Sequence, residues 1–255
     1  MAKTKTKQKQ QPKNNTNHFF GILFDPTLLF TFGCLASAPI VTYLNKPEEF
    51  TSQHLIDYLI DPAIIVGIGY VCIAALVSGI LWPAGFTASD RRSALWYLIN
   101  GSFIHITMDG MTGGWHFLDL MNEHYIILDK RFRDDEVNSW MITQLELFVM
   151  APLCLLTYRA IVQNKPSRYF FEVLTSTFQL IGAIFFFGAE LIQGFPNTPV
   201  DRNFEFTFHH TFYFWFGYGA NLLWVIFPLY FILRAFSRGK ALVQQGLAFQ
   251  NKKRK

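Results

Sequence analysis

Long apolar stretches separated by short polar ones set the pattern of this chain. A run of roughly 20 apolar residues is long enough to cross a hydrocarbon core as a helix. Stretches of that kind run from Thr27 to Asn45, Ala63 to Trp82, Ala94 to Phe117, Trp140 to Ala160, Phe170 to Ile192 and Thr211 to Phe236. Gly33 and Pro39 interrupt the first of them, which makes it the least regular. The predicted fold is all-α, a polytopic transmembrane helical bundle.

The polar segments between the stretches alternate in charge. The N-terminal lysines, Arg91-Arg92, the group Arg159, Lys165 and Arg168, and the chain from Arg234 onward would lie on one side. Glu48-Glu49, the acidic-leaning segment from Asp119 to Asn138, and Asp201 with Glu205 would lie on the other. Loops on the cytoplasmic side are enriched in Lys and Arg, so both termini are expected in the cytosol.

Composition agrees with a membrane protein. Of 255 residues, 51% are hydrophobic and only 16% charged, too few charges to coat a soluble globule of this size. Cys34, Cys72 and Cys154 each sit inside an apolar stretch, with neither metal-binding spacing nor a disulfide framework. Five lysines fall within the first 13 residues, with no apolar region and cleavage site behind them, so residues 1–20 read as a solvated basic tail. Lys252-Lys253-Arg254-Lys255 resembles the dilysine signal that returns membrane proteins to the endoplasmic reticulum, and reads equally as a solubilising tail.

The candidate chemistry lies in polar groups within the spans. Charged side chains at bilayer depth cost roughly 2.5 to 3.5 kcal/mol each on insertion scales, so those present usually face a protein-lined cavity and have a partner. At 100° per residue, His105, Asp109, Thr112 and His116 fall within about 60° of one another. Asp109, one turn after His105, is placed to hold the imidazole. Gly110, Gly113 and Gly114 allow a helix or a ligand to approach the backbone closely. The fourth stretch adds Gln144 and Glu146, and the fifth adds Gln179 and Glu190 on one face. The sixth adds Asn221 and Trp224 after the aromatic run Phe212 to Phe216. Such groups also serve as interhelical hydrogen bonds, and both readings stand at this level.

An acid, a base, amides and an indole in an apolar bundle suit one demanding reaction on an apolar molecule. They can protonate an alkene, hold the carbocation and remove a different proton. The signatures of zinc hydrolysis, acyl transfer and nucleotide binding are missing from the sequence. His209-His210 has no supporting ligand triad, so no metal or other cofactor is expected. The basic tails lack interleaved aromatics, so nucleic acid is not an expected partner.

The order of GSFIHITMDG, NEHYIILDKRF, LFVMAPLCLLTYRAIVQNKPSRYFFEVLTSTFQLIGAIFFFGAEL and HHTFYFWFGYGANLLWVIFPLYFIL, from about Ala63 to Phe236, resembles the emopamil-binding protein family. These are endoplasmic-reticulum membrane proteins of the wider EXPERA group and include the sterol Δ8–Δ7 isomerase. The resemblance implies a five-helix bundle around a pocket that takes sterols and cationic amphiphilic amines, the latter as possible inhibitors. It implies that His105 is the pocket histidine, with Asp109 in place of the isomerase's glutamate. Asn221, Trp224, Gln179 and Glu190 match the family's polar groups in the last two helices. Glu123, Asp129 and Arg131 resemble the family's EY…DSRY segment, with Phe132 in place of its tyrosine. In the fourth span Thr143 stands where the isomerase has a second glutamate and Glu146 lies one turn on, while Ala183 and Ile181 replace an aspartate and a tyrosine.

The organisation expected is a tail (residues 1–20), an extra N-terminal helix and loop (21–62), an EXPERA-like membrane domain (63–236) and a basic cytosolic tail (237–255). The function expected is a cofactor-independent isomerase that shifts a double bond in a sterol or sterol-like terpenoid, in the endoplasmic reticulum membrane. Asp109 or Glu146 would donate the proton and His105 would act as base or relay. Trp224 would stabilise the cation, with Thr112, Thr143, Gln179 and Asn221 contacting substrate. The alternatives are a terpenoid cyclase or rearranging isomerase of a specialised biosynthetic pathway, and a non-catalytic sterol- or lipid-binding membrane protein. A homodimer is one possible assembly.

Overall fold

The computed structural model describes residues 26–48, 50–80, 86–134, 136–197 and 219–253, and among them every regular element is helical. The basic tail before residue 21, His209-His210, Phe212 to Phe216 and Arg254-Lys255 lie outside the described residues. In chain order come α1 (Pro26–Asn45), α2 (Ser52–Ile60), α3 (Pro62–Ile80) and α4 (Ala88–Ile99). The backbone of α4 continues as a π-helix, π1 (Asn100–Gly114), followed by α5 (Asp119–Leu128) and α6 (Lys130–Arg133). Then come α7 (Val137–Leu145), a π-wound turn π2 (Glu146–Met150), α8 (Ala151–Val162), α9 (Arg168–Gln193), a 3₁₀ turn (Ala220–Leu222) and α10 (Leu223–Lys253).

Val137–Val162 and Arg168–Gln193, 26 residues each, are long and apolar enough to cross a membrane. Ser52–Ile60 and Ile64–Val77, bent by 52° at a short break, reach that length and apolarity only when taken together. The distribution of polarity is inverted relative to a water-soluble bundle. Phe148, Leu156, Ile184, Phe185, Ile226 and Leu233 point outward, while Thr157, Glu172, Thr175, Ser176 and Gln179 are buried. Lipid is therefore the solvent on the outside, and the chain is a multi-pass membrane protein.

α4 is the centre of the packing because its adjacent side chains face two cores. Trp96 and Tyr97 pack with Cys154 and Ile161 of α8 and with Leu223 and Phe231 of α10. Leu95 packs with Leu28 of α1 and with Val71, Ala74 and Ala75 of α3. The N-terminal helix is thereby attached to the side of α4 opposite α8 and α10. Pro39 does not break it: α1 runs through the proline to Asn45, and buried Thr42 returns its hydroxyl to the Ala38 carbonyl at 2.9 Å. The first polar connection contains a helix of its own, α2, started by Thr51 and His54, each of which caps the other's backbone amide.

Arg234, counted in the sequence among the basic residues of the cytoplasmic side at the end of the sixth span, is inside the bundle. It lies in α10, which continues without a break to Lys253. Its guanidinium donates to Asp90 of α4 at 2.5 Å, to Glu172 of α9 at 3.0 Å and to Ser93 of α4. Arg238 donates to the same Asp90 oxygen at 2.8 Å, and Arg168 lies 3.7 Å from it. Asp90 also closes the capping box with Thr87 that starts α4. One carboxylate thus starts a helix and ties three helices together.

Buried ion pairs add little when intact but cost roughly 3–5 kcal/mol when one partner is removed, because the other charge is left unpaired. Arg234→Ala should therefore cause a large loss of thermal stability in detergent, with loss of α10 packing. Removing the exposed Arg133–Asp134 pair by Arg133→Ala should leave the unfolding midpoint in place. Equal effects of the two substitutions would show that the Arg234 clamp is not holding the bundle.

Candidate active site

The π winding of π1 decides which side chains meet. Thr107 and Thr112 return their hydroxyls to the carbonyls of Ser102 and Thr107, five residues back, at 3.1 and 2.8 Å, and the Trp115 amide reaches Gly110 O at 3.0 Å. Bonds over five residues turn each residue through less than the 100° of an α-helix, and such segments are frequent at functional sites. His105 and Asp109 stay together, but the angular shortfall accumulates toward Thr112. That residue is fully buried with its hydroxyl spent on the backbone. His116 lies beyond the helix end with φ 53° and pairs with Asn122 at 2.7 Å. The expected four-residue stripe is therefore a two-residue one, because the helix is not α-wound.

Around that pair the structure assembles a continuous polar chain. His105 is 1% exposed. Its Nδ1 is 3.0 Å from Asp109 Oδ2, and its Nε2 is 3.2 Å from Gln179 Nε2 of α9. Trp96 Nε1 donates to Gln179 Oε1 at 3.1 Å. Tyr125 of α5 donates its hydroxyl to Asp109 Oδ1 at 2.8 Å. Glu146, at the start of π2, completes the cluster: donor atoms of His105, Asp109 and Glu146 all lie within 4.8 Å of one another. The carboxylate that the sequence placed one turn away from the expected position is thus returned to the site.

Close helix approach makes this possible. A Cβ on Gly110 would lie 2.7 and 2.9 Å from Leu147 Cδ1 and Cβ, and one on Gly114 would lie 2.6 Å from Thr143 Oγ1. Thr143 is used in this contact and in a 2.8 Å bond to Trp140 O. Gln144 receives Trp115 Nε1 at 3.1 Å, near the surface. Trp224 donates to Asn100 Oδ1 at 2.7 Å, and its ring packs on Trp96 with centroids 5.6 Å apart. Asn221 sits one turn earlier, in the 3₁₀ segment. Trp224 therefore reaches the cluster through Trp96 and Gln179.

His105, Asp109 and Glu146 also form the one group of at least three metal-ligand side chains gathered among the described residues. In the arrangement seen, both ring nitrogens of His105 are already hydrogen-bonded, so coordination through the imidazole would displace Asp109 or Gln179. The arrangement is complete as a proton-handling group without such a change.

Residues 117–235 match the EXPERA (EXPanded EBP superfamily) domain. The resemblance to the emopamil-binding protein family is borne out. The chain is 24% identical over 147 residues to the 3-beta-hydroxysteroid-Delta(8),Delta(7)-isomerase of Cavia porcellus, and equally to that of Rattus norvegicus. These alignments cover 54% of this chain and 60% of each relative, so the chain spans about three fifths of the curated relatives it matches.

The EXPERA segment contains Glu146, Gln179, Asn221 and Trp224, while His105 and Asp109 lie just before it. It also contains Tyr125, the contact to the cluster that residue patterning missed. Tyr125 is outside every apolar span and its partner is 16 residues away, so only the fold of α5 over π1 brings the two together. Desolvation, with the Asp109 carboxylate beside it, holds the Tyr125 phenol well above its ordinary range, so it remains a neutral donor.

A buried clamp keeps α5 in place. Arg131 binds Asp129 at 2.5 Å, lies 3.4 Å from Glu190 and stacks over Phe186 at 4.5 Å. Phe132 packs edge-on against the Tyr125 ring.

Gly110→Ala should disturb this site without touching a polar group, because the added methyl overlaps Leu147. Overpacking of this kind costs about 1–3 kcal/mol. Thermal unfolding should record that loss, and Leu147→Ala combined with Gly110→Ala should restore part of it. No recovery in the double variant would mean that the Gly110–Leu147 contact is not what spaces π1 from π2.

Proposed function

We propose that this protein shifts a carbon–carbon double bond within a sterol or sterol-like terpenoid, by protonation, carbocation formation and loss of a neighbouring proton, without a cofactor. The observation that carries the reading is the cluster of buried His105 with half-buried Asp109 and Glu146, gathered inside a bundle whose outer face is apolar. The similarity to sterol isomerases in name and sequence supports the substrate class.

The roles follow from the hydrogen bonds. Asp109 accepts from both Tyr125 and His105, so each of its oxygens is engaged as an acceptor. Two carboxylates this close in apolar surroundings do not both ionise, so Glu146 carries the proton. In the forward step the Glu146 O–H bond breaks and a C–H bond forms at one alkene carbon, leaving positive charge on its neighbour. The Asp109–His105 pair then takes the proton from the carbon on the far side of the cation, re-forming the double bond. The separation within the cluster lets that proton return to Glu146, so the cycle closes with no net change. The indole of Trp224 stabilises the cation, an effect of about 2 kcal/mol when desolvated. Gln179 and Asn221 orient the polar end of the site, and Thr112 and Thr143 shape its walls.

A second reading, a terpenoid cyclase or rearranging isomerase, is favoured by Ile181 and Ala183, which stand where the isomerase carries a tyrosine and an aspartate. Residence in the endoplasmic reticulum with both termini cytosolic belongs to the same proposal. The orientation rests on the basic residues Arg168, Arg234 and Arg238 gathered at one end of the bundle, and the organelle on the dilysine-like run Lys252-Lys253-Arg254-Lys255.

Expression in a sterol-isomerase-deficient cell, followed by sterol profiling, tests the proposal. Rescue is expected, with solvent deuterium entering the product. Glu146→Gln should lower turnover by at least about 10²-fold in a folded protein, the scale of a lost general acid. Product free of solvent deuterium would sink the protonation route. Full turnover by Glu146→Gln would remove that residue from it.

A further inference from the structure

We infer that Trp96 is a positioning residue that locks His105 as a neutral imidazole with its proton on Nδ1. Asp109, rather than the histidine, is then the group that takes up the substrate proton. The inference rests on the proposed isomerisation for its catalytic meaning, but the tautomer itself follows from geometry.

The indole N–H of Trp96 is a donor only. The Gln179 atom facing it at 3.1 Å must therefore be the amide oxygen, which turns the NH₂ group toward His105 Nε2 at 3.2 Å. The second amide hydrogen points at Cys154 Sγ, 3.6 Å away. Facing an NH₂ donor, Nε2 must be the bare, accepting nitrogen. The ring proton is then on Nδ1 and donates to Asp109 Oδ2 at 3.0 Å.

A second proton on Nε2 would set two donors against each other, unless the amide flipped and set its NH₂ against Trp96 instead. All three side chains are at most 5% exposed, so water is not at hand to relieve either conflict. Among the described residues, the titratable groups facing this unit are Asp109 from π1, Glu146 from π2, Tyr125 from α5 and Cys154 from α8, and α9 contributes the neutral Gln179.

The consequence is a division of labour. Because the histidine cannot readily become imidazolium, it presents a fixed hydrogen bond and does not store the proton. The negative charge that attracts and accepts the substrate proton remains on Asp109.

Nitrogen-15 NMR of histidine-labelled protein in lipid nanodiscs tests this without any substrate. The His105 signal is assigned by its disappearance in His105→Gln. The expected wild-type spectrum shows protonated Nδ1 and bare Nε2 across neutral and mildly acidic pH. A proton on Nε2, or a doubly protonated ring at neutral pH, would overturn the inference even if isomerase activity were confirmed.

Trp96→Phe keeps an aromatic ring but removes the donor, so the Gln179 amide is free to flip and accept from Nε2–H, and the doubly protonated ring should appear as the pH falls. Turnover should then fall by about tenfold per pH unit on the acid side. Gln179→Glu should do the reverse of the native amide, accepting from Trp96 and from Nε2–H and drawing His105 into its doubly protonated form. If either variant folds and leaves both the tautomer and the pH profile unchanged, Trp96 and Gln179 do not set them.

Discussion

Charge buried away from water has to be matched group by group, and in this bundle that requirement falls on a few carboxylates. Asp109 accepts from His105 and Tyr125 at one level, and Asp90 meets Arg234 and Arg238 at another. Because an unmatched charge in an apolar interior costs several kcal/mol, each carboxylate dictates where its neighbours must lie. α4 with π1 carries both, which is why the other helices are arranged around it.

The two polar centres serve different ends. The Asp90–Arg234–Glu172 network has more donors than a proton-transfer site would use, is tied to the start of α4 and joins α4, α9 and α10. Among the described residues, the His105–Asp109–Glu146 cluster has two carboxylates and no cation other than what His105 could supply, so a proton has to reside within it. Aliphatic and aromatic side chains fill most of the remaining interior. The network with surplus positive charge is structural, and the cluster short of it is the one suited to chemistry.

Much of the architecture was legible in the residue pattern. The all-α membrane bundle followed from the lengths of the apolar stretches, and His105, Asp109 and Glu146 stood out as ionisable groups inside them. Thr112 and His116 were grouped with His105 only because an α-helical period was assumed. The i−5 bonds of Thr107 and Thr112 show a slower winding, which no residue type in Asn100–Gly114 announces. Arg234 counted only as one more basic residue at the end of the last span, because hydropathy counts a charge without its partners, which lie 62 and 144 residues away.

The sequence by itself determined that lipid would surround this chain, that its helices would be long, and that a histidine and carboxylates would be forced to share an apolar interior. These depend on composition and on spacings of a few residues. Only the tertiary structure decided that Glu146 reaches His105, that Tyr125 folds over Asp109, and that Trp96 orients the amide of Gln179. Those contacts join residues from separate helices, and their geometry depends on two π-wound segments and on how closely Gly110 and Gly114 let those segments approach. Local pattern can say which groups must find partners in lipid, but partner identity is a matter of three-dimensional register.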